Sequence, residues 1–179
     1  MTELNETVNN WTFALFDLAR ETDQLLSQIS NESVQILKII KQNKDYLKIL
    51  NSFDLSMEQK NQLIDEAFSS YHPYLLNTIK LATKKHAIKY LDGILHRFIE
   101  LSNDKLNIKF GYVYSTKKLT AKEITKLQNK LSSQLKSKVV LVNEIDQKLI
   151  GGIKIKVDEF LIDNSVLGKL NNIKKSIEL

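Results

Sequence analysis

The spacing of apolar residues predicts helix through almost all of residues 1–105. Five apolar residues of the first stretch recur at steps near three and four, and most of them share one helical face: Trp11, Leu15, Leu18, Leu25 and Ile29. The pattern continues through SVQILKIIKQNKDYLKIL, with a break expected near Asn43. These runs predict amphipathic helices that cover a common core.

Start signals for helices divide the rest of this region. Ser56 followed by Gln59 forms a capping box, in which each side chain hydrogen-bonds the backbone N–H of the other residue. Pro73 suits a first helical turn, because its missing N–H would have no partner there. A last helix is predicted from four apolar positions: Leu91, Ile94, Leu95 and Phe98. The result is five or six short helices, whose short loops favour antiparallel neighbours in a bundle.

Near residue 106 the pattern changes to the alternation of a β-strand. Residues LNIKFGYVYS alternate four large apolar side chains with other types: Ile108, Phe110, Tyr112 and Tyr114. A helix with a second capping box, Thr120 and Glu123, follows, and the β-branched run KVVLVNEI then predicts another strand. GGIKIKV and FLID predict a hairpin that turns at Asp158 and Glu159. The tail predicts a final helix through Val166, Leu170, Ile173 and Ile177.

These patterns predict an α+β chain with two domains. An antiparallel helical bundle of five to six helices occupies residues 1–105. A small α/β module with a β-hairpin and a C-terminal helix occupies residues 106–179. No internal repeat or long linker interrupts either part.

The composition is typical of a folded chain outside the membrane. Of 179 residues, 42% are hydrophobic, and only one proline and five glycines interrupt the helical pattern. The lack of cysteine excludes disulfides and thiolate chemistry. No apolar run approaches the ~18–20 residues of a membrane span, and the polar start MTELNETVNNW does not resemble a secretory signal. We expect a soluble protein that can dock on something embedded in a membrane.

The net charge of +5 is unevenly distributed along the chain. Residues 1–105 carry 12 Lys and Arg against 14 Asp and Glu, a net of −2. Residues 106–179 carry 14 against 7, a net of +7. Parts of opposite sign suggest two surfaces with different partners, although a lysine-rich composition that falls unevenly explains the same numbers.

Motifs that carry catalysis or hold a cofactor are missing from the sequence. His72, His86 and His96 share no spacing that would place two of them on one helical face for a metal. The Gly-Lys pair at Gly168 lacks the rest of a P-loop, since Asp163 stands where the first glycine belongs. No GxSxG or GxGxxG motif occurs. We expect no catalytic residue, no metal or other cofactor, and no small-molecule substrate.

A basic nucleic-acid-binding adaptor stays open as an alternative function. Five lysines can line one end and one face of a helix: Lys117, Lys118, Lys122, Lys126 and Lys130. Tyr112 and Tyr114 can stack on bases, but on an alternating strand they fit a core or a sheet face better. Arg20 and Arg97 are the only arginines and lie in the acidic part, so the basic part has no bidentate reader of phosphates or bases. A general helical scaffold is a third possibility.

The stretch IDQKLIGGIKIKVDEFLIDNSVLGKL resembles the C-terminal signature of the F-type ATP synthase delta subunit family, whose mitochondrial counterpart is the oligomycin-sensitivity-conferring protein. The matching positions are Asp146, Leu149, Ile150, Gly151, Gly152, Ile162, Asp163, Ser165, Val166, Gly168 and Leu170. NWTFALFDLARE is similar to the family's opening helix, with Trp11 in place of a tyrosine. The order of a helical bundle and an α/β module also matches, so the resemblance covers essentially the whole chain.

Departures from the family pattern indicate a divergent member. Asp158-Glu159 replaces a Gly-Asp turn, so an acidic side chain would have to sit on a left-handed backbone. Asn164 replaces the glycine of an Asp-Gly-Ser turn, and KHAI at residues 85–88 lacks the arginine of an Asn-Gly-Arg element.

The residues of the signature have structural roles that follow from their chemistry. Gly151 and Gly152 allow the backbone to bulge or to approach a neighbour closely at the start of the hairpin. Asp163 and Ser165 can accept the free N–H groups at the start of the last helix. Gly168, one turn later, leaves room for close packing or for a partner.

The resemblance implies a non-catalytic stator subunit. Such subunits tie the catalytic head to the membrane-anchored b subunits of the peripheral stalk, so that the head resists rotation during ATP synthesis or ion pumping. The family's bundle receives amphipathic N-terminal segments of the catalytic α subunits, and the matching residues here are Trp11, Ala14, Leu15, Asn77 and Leu81. The C-terminal module meets the b subunits, where its charge of +7 can attract acidic stretches. The implied location is peripheral, on the cytoplasmic face of the cell membrane, with no role in binding nucleic acid.

Overall fold

A computed structural model describes residues 3–170 of the chain, with side chains from residue 5 onward. The chain divides into two compact units, with the division between Leu106 and Asn107. The described part of the first unit is helical, and the second contains a four-stranded sheet. The predicted α+β fold, a helical bundle followed by a small α/β module, is confirmed.

Helices of the first unit pack around one core. In the described part of this unit the α-helices are α1 (Glu3–Ala19), α2 (Asp23–Gln42), α3 (Tyr46–Asn51), α4 (Met57–Phe68), α5 (Pro73–Lys84) and α6 (Leu91–Lys105). Helix α6 contacts both α1 and α2, and α4 contacts α5. The largest fully buried side chains of this core include Phe68, Phe98, Leu15, Leu26, Ile29 and Ile36. Burial of each such side chain stabilises the fold by about 1.5–3 kcal/mol.

The first amphipathic run forms two helices, α1 and α2, with a turn between them. Thr22 caps α2, because its Oγ1 accepts a hydrogen bond from the backbone N–H of Leu25 at 3.1 Å. Leu18, which the spacing places on the shared apolar face, is 49% exposed beside this turn. Helix α2 ends at the residue before Asn43, and the predicted break there is confirmed.

The other helix starts predicted for the bundle are also confirmed. In the capping box of α4, Ser56 N donates to Gln59 Oε1 at 2.9 Å, and Gln59 N donates to Ser56 Oγ at 3.2 Å. Pro73 is the first residue of α5. His72 precedes it and caps the helix, since its Nδ1 accepts a hydrogen bond from Tyr74 N at 3.2 Å.

Buried polar side chains connect elements inside the bundle. Thr12 is fully buried, and its Oγ1 donates to the backbone carbonyl of Ile94 at 3.2 Å, which joins α1 to α6. Lys60 is 3% exposed, and its Nζ donates to the backbone carbonyl of Ser52 at the end of α3. A buried donor left without an acceptor costs about 1–3 kcal/mol, so these bonds fix how the helices meet.

The second unit is built on a sheet with the strand order β2-β1-β3-β4. Its elements are β1 (Ile108–Ser115), α7 (Ala121–Leu135), β2 (Lys138–Ile145), β3 (Ile153–Val157) and β4 (Phe160–Asp163). Strands β1 and β2 are parallel and joined through α7, whose predicted capping box of Thr120 and Glu123 is confirmed. The pairs β1–β3 and β3–β4 are antiparallel. A further helix begins at residue 166 and is described to residue 170, so Ile173 and Ile177 lie outside the described residues.

Helix α7 covers one face of the sheet and leaves the other open. The core beneath it contains Val113, Leu131, Val139, Leu141, Ile155 and Val157. Along β1 the buried residues are therefore those between the large aromatic ones, and Phe110 and Tyr112 are 48% and 45% exposed. Gly111 belongs to the covered face, where a Cβ would lie 2.5 Å from Val157 Cγ2. Of the two interpretations of Tyr112, sheet face or core, the sheet face is correct.

Of the two adjacent glycines before β3, Gly152 is the one that the backbone requires. Gly152 has φ +77°, and a Cβ there would lie 2.4 Å from the carbonyl oxygen of Asn164, which confirms the predicted close approach. Asp158 in the hairpin turn has φ +50°, so an acidic residue does occupy a left-handed conformation. Asn164 does not have a positive φ, so its replacement of glycine requires no left-handed backbone.

We expect Gly152→Ala to destabilise the second unit by about 2 kcal/mol or more, because the new methyl group meets backbone and the positive φ is strained. Gly151→Ala is the matched control, since its Cβ would meet only the side chain of Val166, at 3.2 Å. Hydrogen exchange of the β3 amides in the full chain measures the effect locally. Equal protection of β3 in both variants would show that the backbone at Gly152 tolerates a side chain.

Candidate partner-binding surfaces

An exposed stripe runs along α1. Trp11, Ala14 and Leu18 follow one another at helical steps of three and four, and Ala14 and Leu18 are exposed. Trp11 is half-buried and packs against the edge of the core, so its ring both closes the bundle and reaches the surface. Together with Asn10, Trp11 and Ala14 line a depression of about 250 Å³. This stripe is one place where the bundle presents apolar surface.

Leu15 does not belong to this surface. Its side chain is only 1% exposed and lies in the bundle core. The resemblance assigns it to partner binding, but in this structure its contacts are with other core residues. We therefore leave Leu15 out of the candidate surface.

Asn77 and Leu81 line a cleft between α4 and α5. The cleft has a volume of about 260 Å³, and its lining residues are Met57, Asn61, Asn77, Lys80, Leu81 and Lys84. Leu81 is 52% exposed and Met57 is 37% exposed, so the apolar part of the cleft is open to a partner. Lys80 Nζ pairs with Asp65 at 2.6 Å.

Asn61 places an unpaired polar atom beside this cleft. Its Oδ1 is buried and finds no hydrogen-bond partner among the described residues. A buried acceptor without a donor is costly, so Asn61 is a local weak point where α4 packs on α5. Lys84 is exposed at the same cleft and forms no ion pair within the described part of the chain. The exposed Leu81 and Met57 favour a segment with an apolar anchor, and Lys84 favours a carboxylate on that segment.

The structure thus separates the five predicted contact residues. Trp11 and Ala14 line the α1 depression, Asn77 and Leu81 line the α4–α5 cleft, and Leu15 is in the core. The α4 side of the cleft was not predicted from the sequence. Met57 and Asn61 are four residues apart and must share a helical face, but only the packing of α4 on α5 shows that this face borders Leu81.

The contacts of the three histidines and the raised pKa of Tyr46 have structural explanations. His72 caps α5, His86 packs its ring on Phe53 with centroids 5.3 Å apart, and His96 lies 3.9 Å from Asp92 one turn away. Burial, with the charge of Glu66 as a second cause, raises the pKa of Tyr46 to about 12. Within the described residues, no group of three or more His, Asp and Glu side chains is arranged to hold a metal ion.

A hydrogen-bond network at the end of β4 starts the last helix. Asp163 Oδ1 accepts from Ser165 N at 2.9 Å and from Ser165 Oγ at 2.6 Å, and Ser165 Oγ accepts from Gly168 N at 2.9 Å. A Cβ on Gly168 would lie 2.6 Å from Asp163 Oδ1, so the glycine allows the carboxylate to pack against the helix. These contacts are the ones expected of Asp163, Ser165 and Gly168 from their chemistry. Leu170, two residues after Gly168, is 52% exposed.

Ile150, next to the Gly-Gly pair, has an unusual backbone. Its φ of 62° and ψ of −36°, with a 2.6 Å hydrogen bond from Gly151 N to Leu149 O, describe a γ-turn that is rare for a β-branched residue. The Ile150 side chain is 66% exposed. A strained residue with an exposed apolar side chain is a common feature of contact sites.

Comparison with known proteins assigns the chain to a family. The family model described as ATP synthase delta (OSCP) subunit matches residues 9–177. The chain belongs to the ATP synthase delta (OSCP) subunit family. It is therefore a peripheral-stalk subunit of an F-type ATP synthase.

Individual relatives support the assignment over nearly all of the chain. It is 45% identical to ATP synthase subunit delta of Metamycoplasma arthritidis over 99% of this chain and 98% of that protein. It is 31% identical to ATP synthase subunit delta of Mycoplasma mobile, with 97% of each chain covered. A chain in the cryo-EM structure of the Toxoplasma gondii mitochondrial ATP synthase hexamer has the same fold, with a TM-score of 0.63 at 14% identity over 96% of this chain and 97% of that one.

The Asp163 network predicts a defined pH response. The hydrogen bonds from the Ser165 side chain and backbone hold the pKa of Asp163 below its ordinary value. Because the folded-state pKa is depressed, the stabilisation is present above the unfolded-state pKa and is lost as the pH falls through the folded-state pKa. We expect Ser165→Ala to raise the pKa of Asp163 towards its ordinary value, as measured by NMR titration of the carboxyl group. An unchanged titration in the variant would contradict the network.

Proposed function

We propose that this subunit is a non-catalytic link that binds N-terminal segments of the catalytic α subunits with its bundle and the b subunits with its second unit. The observation that carries the first half is the α4–α5 cleft, where exposed Leu81 and Met57 lie beside the unpaired Oδ1 of Asn61. Exposed apolar side chains gathered in a cleft mark an interaction site more often than singly scattered ones do. Membership of the family supports another ATP synthase subunit as the partner, and the segment of the catalytic head is our proposal.

The shape of the cleft favours an amphipathic helix as the bound segment. Helices recognised in grooves present apolar anchors at steps of three and four residues, and such anchors supply most of the affinity. Leu81 and Met57 offer the apolar floor, and Lys84 at the rim suits a carboxylate. The stripe of Trp11, Ala14 and Leu18 on α1 offers a second apolar surface of the same kind.

The shifted pKa values of three charged groups have local causes. Among the described residues with a shifted pKa, Asp45 and Lys48 owe the shift to their mutual hydrogen bond, and Glu123 owes it to its hydrogen bonds in the α7 cap. Catalytic acids and bases usually carry shifts from burial and charge partners in a cleft. The shifts of these three groups come from hydrogen bonds at helix ends instead, whereas the shift of Tyr46 comes from burial in the bundle.

The second unit is assigned to the b subunits on the basis of charge. Residues 106–179 carry a net charge of +7, which attracts acidic partners and speeds their association. None of the helices in residues 3–170 is long and apolar enough to cross a membrane. The subunit then reaches the cytoplasmic face of the cell membrane only through the complex, as a peripheral component.

Titration calorimetry of the full chain with a peptide from the N-terminus of the same organism's α subunit tests the head-binding half. We expect saturable binding that Leu81→Ala weakens by about tenfold, because an exposed anchor contributes on the order of 1–2 kcal/mol. Trp11→Ala tests the α1 stripe in the same way. Phe13→Ala is the control, since Phe13 is 49% exposed on the same helix but points away from the stripe.

Two results would contradict the proposal for the bundle. One is no heat with the α peptide under conditions where the chain is folded. The other is an equal loss of affinity in Phe13→Ala and Leu81→Ala. Tight, salt-sensitive binding to duplex DNA without peptide binding would instead favour the nucleic-acid adaptor.

A further inference from the structure

The turn between α3 and α4 exposes an aromatic ring. Among the large apolar side chains of the described residues, Phe53 is the most exposed, at 88%. Its ring lies against the imidazole of His86, with the two centroids 5.3 Å apart and the planes tilted by 36°. We call these two side chains the ring pair. Most of the Phe53 ring is therefore open to a partner, while His86 supports it from the bundle.

Backbone contacts hold the Phe53 side of the ring pair. Lys60 is 3% exposed, and its Nζ donates to the backbone carbonyl of Ser52, the residue before Phe53. Ser52 also closes α3, since its N and its Oγ donate to the carbonyl of Ile49 at 3.2 Å and 2.9 Å. A buried ammonium group that lost its acceptor would be costly, so the turn is fixed where Phe53 begins. Phe53 is exposed on a backbone that the core holds in place.

His86 is held by the hydrogen bonds that end α5. His86 N donates to the carbonyl of Thr83 at 3.2 Å, and Ala87 N donates to the carbonyl of Ala82 at 2.8 Å, which together form a Schellman motif. His86 has φ +55°, a left-handed conformation in which glycine is the usual residue at this point of the motif. This chain carries a side chain there instead, and its ring supports Phe53.

The ring pair lies beyond one end of the α4–α5 cleft. Met57 is the first residue of α4 and Lys84 is the last residue of α5, and both line the cleft. Phe53 precedes Met57 by four residues, and His86 follows Lys84 by two. From Leu81 to His86 the rise along a helix is about 7 Å, or between one and two turns. A helix bound in the cleft needs only this extension to reach the ring pair.

We propose that Phe53, supported by His86, is an anchor for the same segment of the catalytic head that the α4–α5 cleft binds. This inference rests on the proposed function, which assigns that segment to the cleft but not to the ring pair. The bound helix extends past Lys84 and places an apolar residue on the Phe53 ring, one to two turns from the residue that meets Leu81. A ring on a fixed backbone suits this role, because little conformational entropy is lost when a partner covers it.

Other occupants fit the ring pair less well. Exposed Lys84 and Lys85 are close to it along the chain, but so are exposed Asp54 and Glu58, so the local charge is mixed and does not select a nucleic acid. A second copy of the chain would need a contact of about 1,000 Å² or more for a stable dimer. The head segment needs no new interface, because one helix in the cleft reaches both Leu81 and Phe53.

Titration calorimetry of the full chain with the N-terminal peptide of the same organism's α subunit tests the anchor. We expect Phe53→Ala to weaken binding by about tenfold. His86→Gly should weaken it by about two- to threefold, because Phe53 loses its support while glycine suits the left-handed backbone. Phe13→Ala is the matched control, since it removes another exposed phenyl ring of the bundle, and it should change the affinity by less than about twofold.

A fluorescence measurement shows directly whether the peptide covers this position. Trp11 is the only tryptophan of the chain, so Phe53→Trp combined with Trp11→Phe leaves a single indole, at the ring pair. We expect saturating peptide to shift its emission to shorter wavelength and to protect it from acrylamide quenching. Because the contact is apolar, added salt should leave this protection unchanged.

Comparison with Leu81→Ala separates the possible failures. If wild type binds the peptide and Leu81→Ala weakens binding, but Phe53→Ala behaves like Phe13→Ala, the inference is overturned while the proposed function stands. If wild type does not bind the peptide, the proposed function fails for the bundle and the inference fails with it. Concentration-dependent dimerisation or duplex DNA binding that Phe53→Ala abolishes would assign the ring to another occupant and would also overturn the inference.

Discussion

Helix α6 packs against α1 and α2, and this contact decides which side chains of the bundle can meet a partner. Phe98 of α6 meets the ring of Phe16 edge-on, with centroids 6.5 Å apart, and Thr12 on the same side of α1 is bonded to the carbonyl of Ile94. With that side of α1 fixed inward, Ala14 and Leu18 must point outward. The exposed stripe of α1 is therefore a consequence of how the opposite side of the helix is held in the core.

The same principle of one-sided packing operates in the second unit. Helix α7 covers one face of the sheet, and Gly111 allows β1 and β3 to come together beneath it. The aromatic residues of β1 then face outward, where their cross-strand neighbours come from β2 and β3. Gly152 and the Asp163 network hold the hairpin and the last helix in place around this sheet. Structural glycines thus act on the covered side of the sheet and at the start of its hairpin.

Features that depend on neighbouring residues could be predicted from the sequence. Which face of each helix or strand is buried could not. The capping boxes at Ser56 and Thr120, the helix start at Pro73 and the left-handed turn at Asp158 each depend on a few adjacent residues, so the sequence contains their whole cause. Periodicity also locates the elements and their apolar residues. It cannot say which of two plausible faces is covered, and for this reason the exposure of Leu18, the outward direction of Tyr112 and the α4 side of the Leu81 cleft become visible only in the fold.

The central claim is that one chain joins the catalytic head to the stalk, with one unit for each. Native mass spectrometry of a mixture of the catalytic head, the soluble b subunits and this subunit measures that joining directly. We expect a complex of all three that is absent when this subunit is left out. Assembly of the head with b in its absence, or binding of head and b to it only in alternation, would contradict the claim.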